Sequence, residues 1–182
     1  MSKNNQEQLI QVLLQNSALD VYKNILHAYR VEDIFALAQQ DKQARLAFRA
    51  TWTLEHLLLD RLELLDRYKV QVTELFVDSQ NDSSLRSTSK LIIILLQRKT
   101  ILSDDAQEAI IHKAFQLVER NDCPIALLVN CWDILLLCST NQPWIAEELR
   151  TRIHFQLERN ATPASKSRGL RILKKLERIT HT

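Results

Sequence analysis

Phe48-Arg49-Ala50-Thr51-Trp52-Thr53-Leu54-Glu55-His56-Leu57-Leu58 reads as a helix, and three later stretches echo it. Leu85-Arg86 opens a run ending in Leu91-Ile92-Ile93-Ile94-Leu95. Ile125-Ala126 opens a run through Cys131, Ile134 and Leu135, and Ser167-Arg168 opens one through Leu173 and Leu176. With Arg49, Arg86, Ala126 and Arg168 taken as equivalent, apolar residues recur at offsets +5 and +8. The pairs are Leu54 and Leu57, Leu91 and Ile94, Cys131 and Ile134, and Leu173 and Leu176. Residues three apart share a helix face, so each pair marks the buried side of its helix.

The four anchors are separated by 37, 40 and 42 residues. That spacing is near the period of a HEAT or armadillo unit, roughly 40–47 residues. It predicts an all-α chain, a HEAT/armadillo-like α-α superhelix of about ten helices, folded as a single domain over residues 1–182. Composition agrees. The 182 residues include one glycine, Gly169, and three prolines, Pro124, Pro143 and Pro163. These two residue types disfavour a helix interior by about 1 and 3 kcal/mol, so their scarcity permits helices almost everywhere. No segment joins β-branched alternation to hairpin turn pairs, and no sheet is expected.

Residues 1–30 read as an N-terminal cap of two helices, about 5–15 and 18–29, divided at Asn16-Ser17. Helix pairs follow over about 31–59, 61–99, 103–139 and 143–180. In each pair the second, inner helix carries the repeated motif. Ser103 followed by Asp104 and Asp105 is a capping serine with acids where the helix dipole favours them. All three prolines fall at expected helix starts. The most polar loop is Asp78 to Ser84.

Arg49-Ala50-Thr51-Trp52-Thr53-Leu54-Glu55-His56, Ile125-Ala126-Leu127-Leu128-Val129 and Arg168-Gly169-Leu170-Arg171-Ile172-Leu173-Lys174-Lys175-Leu176 together carry a resemblance. The chain resembles a largely uncharacterised group of small bacterial HEAT-like, armadillo-type repeat proteins, seen mostly in Bacteroidetes. Their motif has the form R-A-A-W-x-L-x-H, from which Thr51 departs. The resemblance covers most of residues 31–178. It implies an armadillo-type fold and carries no catalytic residues.

The formal net charge is +2. One glycine rules out a Gly-rich phosphate loop. The histidines His27, His56, His112, His154 and His181 have no metal-ligand spacing, and no metal or cofactor is expected. Cys123, Cys131 and Cys138 contain no C-x-x-C pair, and Cys131 and Cys138 read as core thiols of an apolar helix. The polar start Met1 to Gln6 lacks the apolar core of a signal sequence. Three cysteines without pairing motifs point to a reducing cytoplasm. No apolar run approaches the roughly 20 residues of a membrane span.

Offsets 0, +4, +7 and +11 form one stripe beside the core stripe of each inner helix. From this stripe and the adjoining tryptophan come the groove candidates Arg49, Trp52, His56, Arg86, Lys90, Asn130, Asp133, Arg168 and Lys175. The inner helices hold an excess of bases and the outer helices an excess of acids. Inner helices line the concave face of such arrays. The expected function is therefore a non-enzymatic interaction module that binds a protein or peptide there. The alternative is a nucleic-acid-binding protein using a basic groove, in the manner of a HEAT-like DNA-repair glycosylase. Asp133 or Glu55, with Trp52 or Trp132, would then be the candidate pair. Arg49, Arg86 and Arg168 are expected to form a row held by carboxylates or helix-end carbonyls, with Asp41, Asp82 and Asn160 as the nearest candidates.

Overall fold

The computed structural model describes residues 3–140 and 142–179. The regular elements in them are eleven α-helices and two short 3-10 turns, with no strand among the described residues. The expected helix end at residue 180 and His181 lie outside them. The chain divides into two compact units, Met1–Leu95 and Leu96–Thr182. No described helix is long and apolar enough to cross a membrane.

The first unit is built around α4 (Ala44–Asp60), the helix of the opening motif. Helices α1 (Lys3–Gln15), α2 (Ala18–Val21), α3 (Val31–Ala38) and α5 (Leu62–Arg67) all pack on it. Enclosure on so many sides explains why nine of its residues are buried, Thr51, Thr53 and Glu55 among them. Each threonine returns its hydroxyl to a backbone carbonyl one turn earlier, Thr51 to Ala47 at 2.7 Å and Thr53 to Arg49 at 3.0 Å. A buried hydroxyl is tolerated when it is so paired. Asn16 and Ser17 end α1 and start α2 as expected. Asn16 Nδ2 donates to the Val12 carbonyl at 2.9 Å, and Ser17 Oγ accepts from the Leu19 amide.

Two expected helices are shorter than their apolar patterns. Residues 18–29 form the single turn α2 and a 3-10 turn at Ile25–His27. Buried Ala18, Val21 and Ile25 keep helical spacing. The backbone tightens at Asn24, whose amide donates to Val21 and whose carbonyl accepts from His27, both three residues away. The expected helix over 61–78 is two helices, α5 and α6 (Lys69–Asp78), broken at Tyr68. The break seats Tyr68 on α3. Its hydroxyl donates to Glu32 Oε1 at 2.7 Å, and its ring lies 5.7 Å from Phe35.

Helix α7 (Asp82–Gln97) follows the polar loop. Asn81 Oδ1 accepts from the Ser83 and Ser84 amides, while Asn81 Nδ2 donates to the Ala44 carbonyl. Asp41 accepts from Ser79 Oγ and the Gln80 amide. The loop thus joins the starts of α4 and α7.

The second unit is built around α9 (Ile125–Cys138), which packs on α8 (Asp104–Glu119), α10 (Pro143–Asn160) and α11 (Pro163–Ile179). Ser103 caps α8 by accepting from the Ala106 amide. Pro143 and Pro163 stand first in their helices, whereas Pro124 sits one place earlier, at the N-cap. Thr162 and Ser165 cap α11 reciprocally, each hydroxyl accepting from the other's amide. Trp132 is fully buried at the centre.

Gly169 lets α11 approach. A Cβ there would lie 3.0 Å from Ile153 Cγ2, 3.3 Å from Leu157 Cδ1 and 3.5 Å from Trp132. Of the eight positions at offsets +5 and +8, seven are buried and Ile94 is half-buried.

Gly169→Leu should therefore overpack this contact and cost about 1–3 kcal/mol, read as a lowered urea midpoint. An unchanged midpoint would mean that α11 is free to shift away.

Candidate functional site

In the first unit, Phe48, Trp52 and His56 are one turn apart on α4 and form a half-buried aromatic strip. Phe48 stacks on Trp52 at 5.7 Å, and His56 meets Trp52 at 5.7 Å and Tyr22 of the segment after α2 at 5.6 Å. The Arg49 guanidinium lies 5.3 Å from the Trp52 ring centroid, and its Nε donates to the Leu13 carbonyl at 2.9 Å. Leu13 is in the last turn of α1, whose partial negative charge favours a cation. Arg49 is thereby committed to a helix end and to an indole. His56 Nε2 is buried without a hydrogen-bond partner.

Glu55, expected as a candidate acid, points inward. Its side chain is 5% exposed, and Oε1 accepts from Lys90 Nζ of α7 at 2.5 Å. Lys90 is 45% exposed, so the pair links core to surface. Arg86 is exposed on α7. The three equivalent arginines therefore do different things. Arg49 holds a carbonyl, Arg168 reaches a carboxylate, and Arg86 faces solvent. The expected partner Asp41 instead serves the backbone amide of Gln80 and the hydroxyl of Ser79.

In the second unit the predicted residues do converge. Asp133 is half-buried on α9, one turn after half-buried Asn130. Arg168 Nη2 of α11 stands 3.4 Å from Asp133 Oδ2. Burial pushes the Asp133 carboxyl above its ordinary value, while the charges of Arg171 and Lys175 pull it back. Arg171, Lys174, Lys175 and Arg178 are all exposed on α11. Trp132, adjacent in sequence to Asp133, lies in the core and can stack on no ligand.

The observed helix boundaries also relocate the charge. Helix α4 carries Arg45 and Arg49 against Glu55 and Asp60, and is neutral. Helix α11 carries Lys166, Arg168, Arg171, Lys174, Lys175 and Arg178 against Glu177 alone. The excess of bases expected along the inner helices is thus concentrated on one of them.

Cys131 and Cys138 are poor nucleophiles. Cys131 is fully buried, which pushes its thiol well up, and burial raises Cys138 to about 11. A thiol must ionise to attack, and neither does so near neutral pH.

Sequence reasoning missed one concavity. A groove of about 510 Å³ runs along α8 to the first turn of α10, lined by residues that include Asp104, Glu108, Phe115 and Trp144. Its signal was Trp144 itself. Ile145, Ala146, Leu149 and Ile153 make the buried face of α10, and Trp144 falls outside it, 55% exposed.

Two outcomes test this geometry. Lys90→Met leaves a charged Glu55 without its partner and should cost about 1–3 kcal/mol, more than Glu55→Gln, in urea denaturation. Equal losses would mean that Glu55 is solvated. Folded Asp133 binds its proton more tightly than the unfolded chain does, so stability from this site falls as pH rises through the raised value. Asp133→Asn should therefore gain on the parent protein as pH rises from the ordinary carboxyl value, about 4, through the raised one. A constant difference would mean a carboxyl that titrates alike in both states.

No protein-family model, curated protein or solved structure matches this chain.

Proposed function

We propose that this chain is a non-enzymatic interaction module, a HEAT or armadillo-type α-α superhelix that binds a protein or peptide on its concave face. The repeated motif supports the architecture, since its core positions are buried in all four motif-bearing helices, Ile94 only in part. One observation carries the ligand class. Arg171, Lys174, Lys175 and Arg178 are exposed together on α11, at spacings of three and four residues, with Arg168 at their base. Such spacings put side chains in one row. The row is cationic and suits an acidic segment of a partner. A reducing compartment, the cytoplasm, fits the three free cysteines.

Nucleic acid is the second reading, favoured by the same row. Cations three or four residues apart rise about 4.5–6 Å along a helix, a repeat that a phosphate backbone can follow. Asp133, paired with Arg168, would shape that face rather than perform chemistry.

Both readings are tested on the full chain by fluorescence anisotropy. A labelled glutamate-rich peptide should bind, and Arg171→Glu/Lys174→Glu/Lys175→Glu should weaken it by about tenfold or more. Retention of full affinity would remove α11 as the site. Duplex and single-stranded DNA are measured alongside. If DNA is the ligand, log affinity should fall against log salt with a slope of about −3 to −4 for four phosphate contacts. Absence of DNA binding at about 50 mM salt would remove the second reading.

A further inference from the structure

We propose that the groove between α8 and the first turn of α10 is a second binding site, and that it takes an arginine side chain from an exposed segment of a partner protein. The site is separate from the cationic row of α11 and opposite to it in charge.

Helix periodicity builds one wall. Asp104, Glu108, Ile111 and Phe115 fall at spacings of four, three and four on α8, and so share a face. The other wall is Trp144, with Gln142 beside it. Two contacts fix the indole: Nε1 donates to Gln142 Oε1 at 3.0 Å, and the ring stacks on Phe115 at 5.7 Å and 25°. Yet Trp144 remains 55% exposed. Folding alone gives no reason to hold a large aromatic surface rigid and wet, because the gain from an indole comes from removing it from water.

The groove's charge selects the occupant. Among the described residues its lining includes two exposed carboxylates, Asp104 and Glu108, with the His112 imidazole between them and Phe115, and no lysine or arginine. The helix dipole accounts for Asp104 in the first turn, but its influence fades before Glu108. An aromatic face beside carboxylates attracts a cation. The shape of that face favours guanidinium over ammonium. Phe115 covers one face of Trp144 by stacking, and the half-exposed indole offers one open face rather than a cage of rings. A planar guanidinium can lie on an indole while its edge forks to a carboxylate. A quaternary ammonium gains most from rings on several sides. At about 510 Å³ the groove also has room for residues flanking the arginine, and the Gln107 and Gln142 amides can meet their backbone.

The test uses the full chain and a nine-residue peptide with one central arginine, read through tryptophan fluorescence in a Trp52→Phe background, where exposed Trp144 and buried Trp132 are the remaining indoles. Matched peptides carry lysine or glutamine instead, and tetramethylammonium serves as the small-cation competitor. The arginine peptide should bind more tightly than the other two. Trp144→Ala and Glu108→Gln, each with an unchanged far-UV spectrum, should weaken it by about three- to thirtyfold; for Trp144→Ala, anisotropy of a labelled peptide replaces the lost fluorophore. The triple charge reversal on α11 should leave this binding intact. Equal affinity for the glutamine peptide, or full affinity in Trp144→Ala, would overturn the site. Equal affinity for the lysine peptide would overturn the guanidinium assignment, and full competition by millimolar tetramethylammonium would assign the groove to a small cation.

Discussion

Enclosure of two helices, α4 and α9, is the constraint on which the rest of each unit depends. A helix packed on several sides satisfies its own backbone, but its polar side chains are costly unless they find a partner or stay on the strip left open, and the Trp132 indole N–H and His56 Nε2 are buried without one. Helix α4 meets that condition through threonine hydroxyls turned back to the preceding turn and through Glu55 paired with Lys90. Helix α9 is apolar except at Asn130 and Asp133, which lie on its half-buried strip, with Arg168 at the carboxylate. A hub helix cannot also be a reactive surface over most of its length. That is why Trp132, Cys131 and Glu55 have structural places.

The second unit separates its charges. Helix α11 collects cations on the side away from its buried Ile172, Leu173 and Leu176, while the α8 groove collects acids beside an exposed indole. Neither surface is needed to close the core. The chain's net charge of only +2 thus conceals two patches of opposite sign.

Helix content, most boundaries and the buried face of each motif were legible in the sequence, because they follow from local rules. Periodicity near 3.6 places Leu54, Leu57, Cys131 and Ile134 inward whatever surrounds them, and proline, serine and asparagine mark starts and stops chemically. The stripe beside the core was legible only in part: offsets on one helix fix relative direction, yet Thr53 and Ile172, both at offset +4, are buried. Its convergence at Asp133 and Arg168 follows from two such stripes on helices that pack together.

Contacts between helices were decided only in three dimensions. At the break the Tyr68 hydroxyl bonds Glu32, 36 residues earlier, a contact that no pattern within 61–78 announces. Arg49, Arg86 and Arg168 share an offset but not a fate, because each meets a different neighbour: the end of α1, solvent, and Asp133. Trp52 and Trp132 both lie on motif-bearing helices, at offsets +3 and +6, and one is half-buried while the other is sealed by α11 at Gly169. Sequence sets which way a side chain leaves its own helix; which group it then meets depends on how the other helices pack against that face.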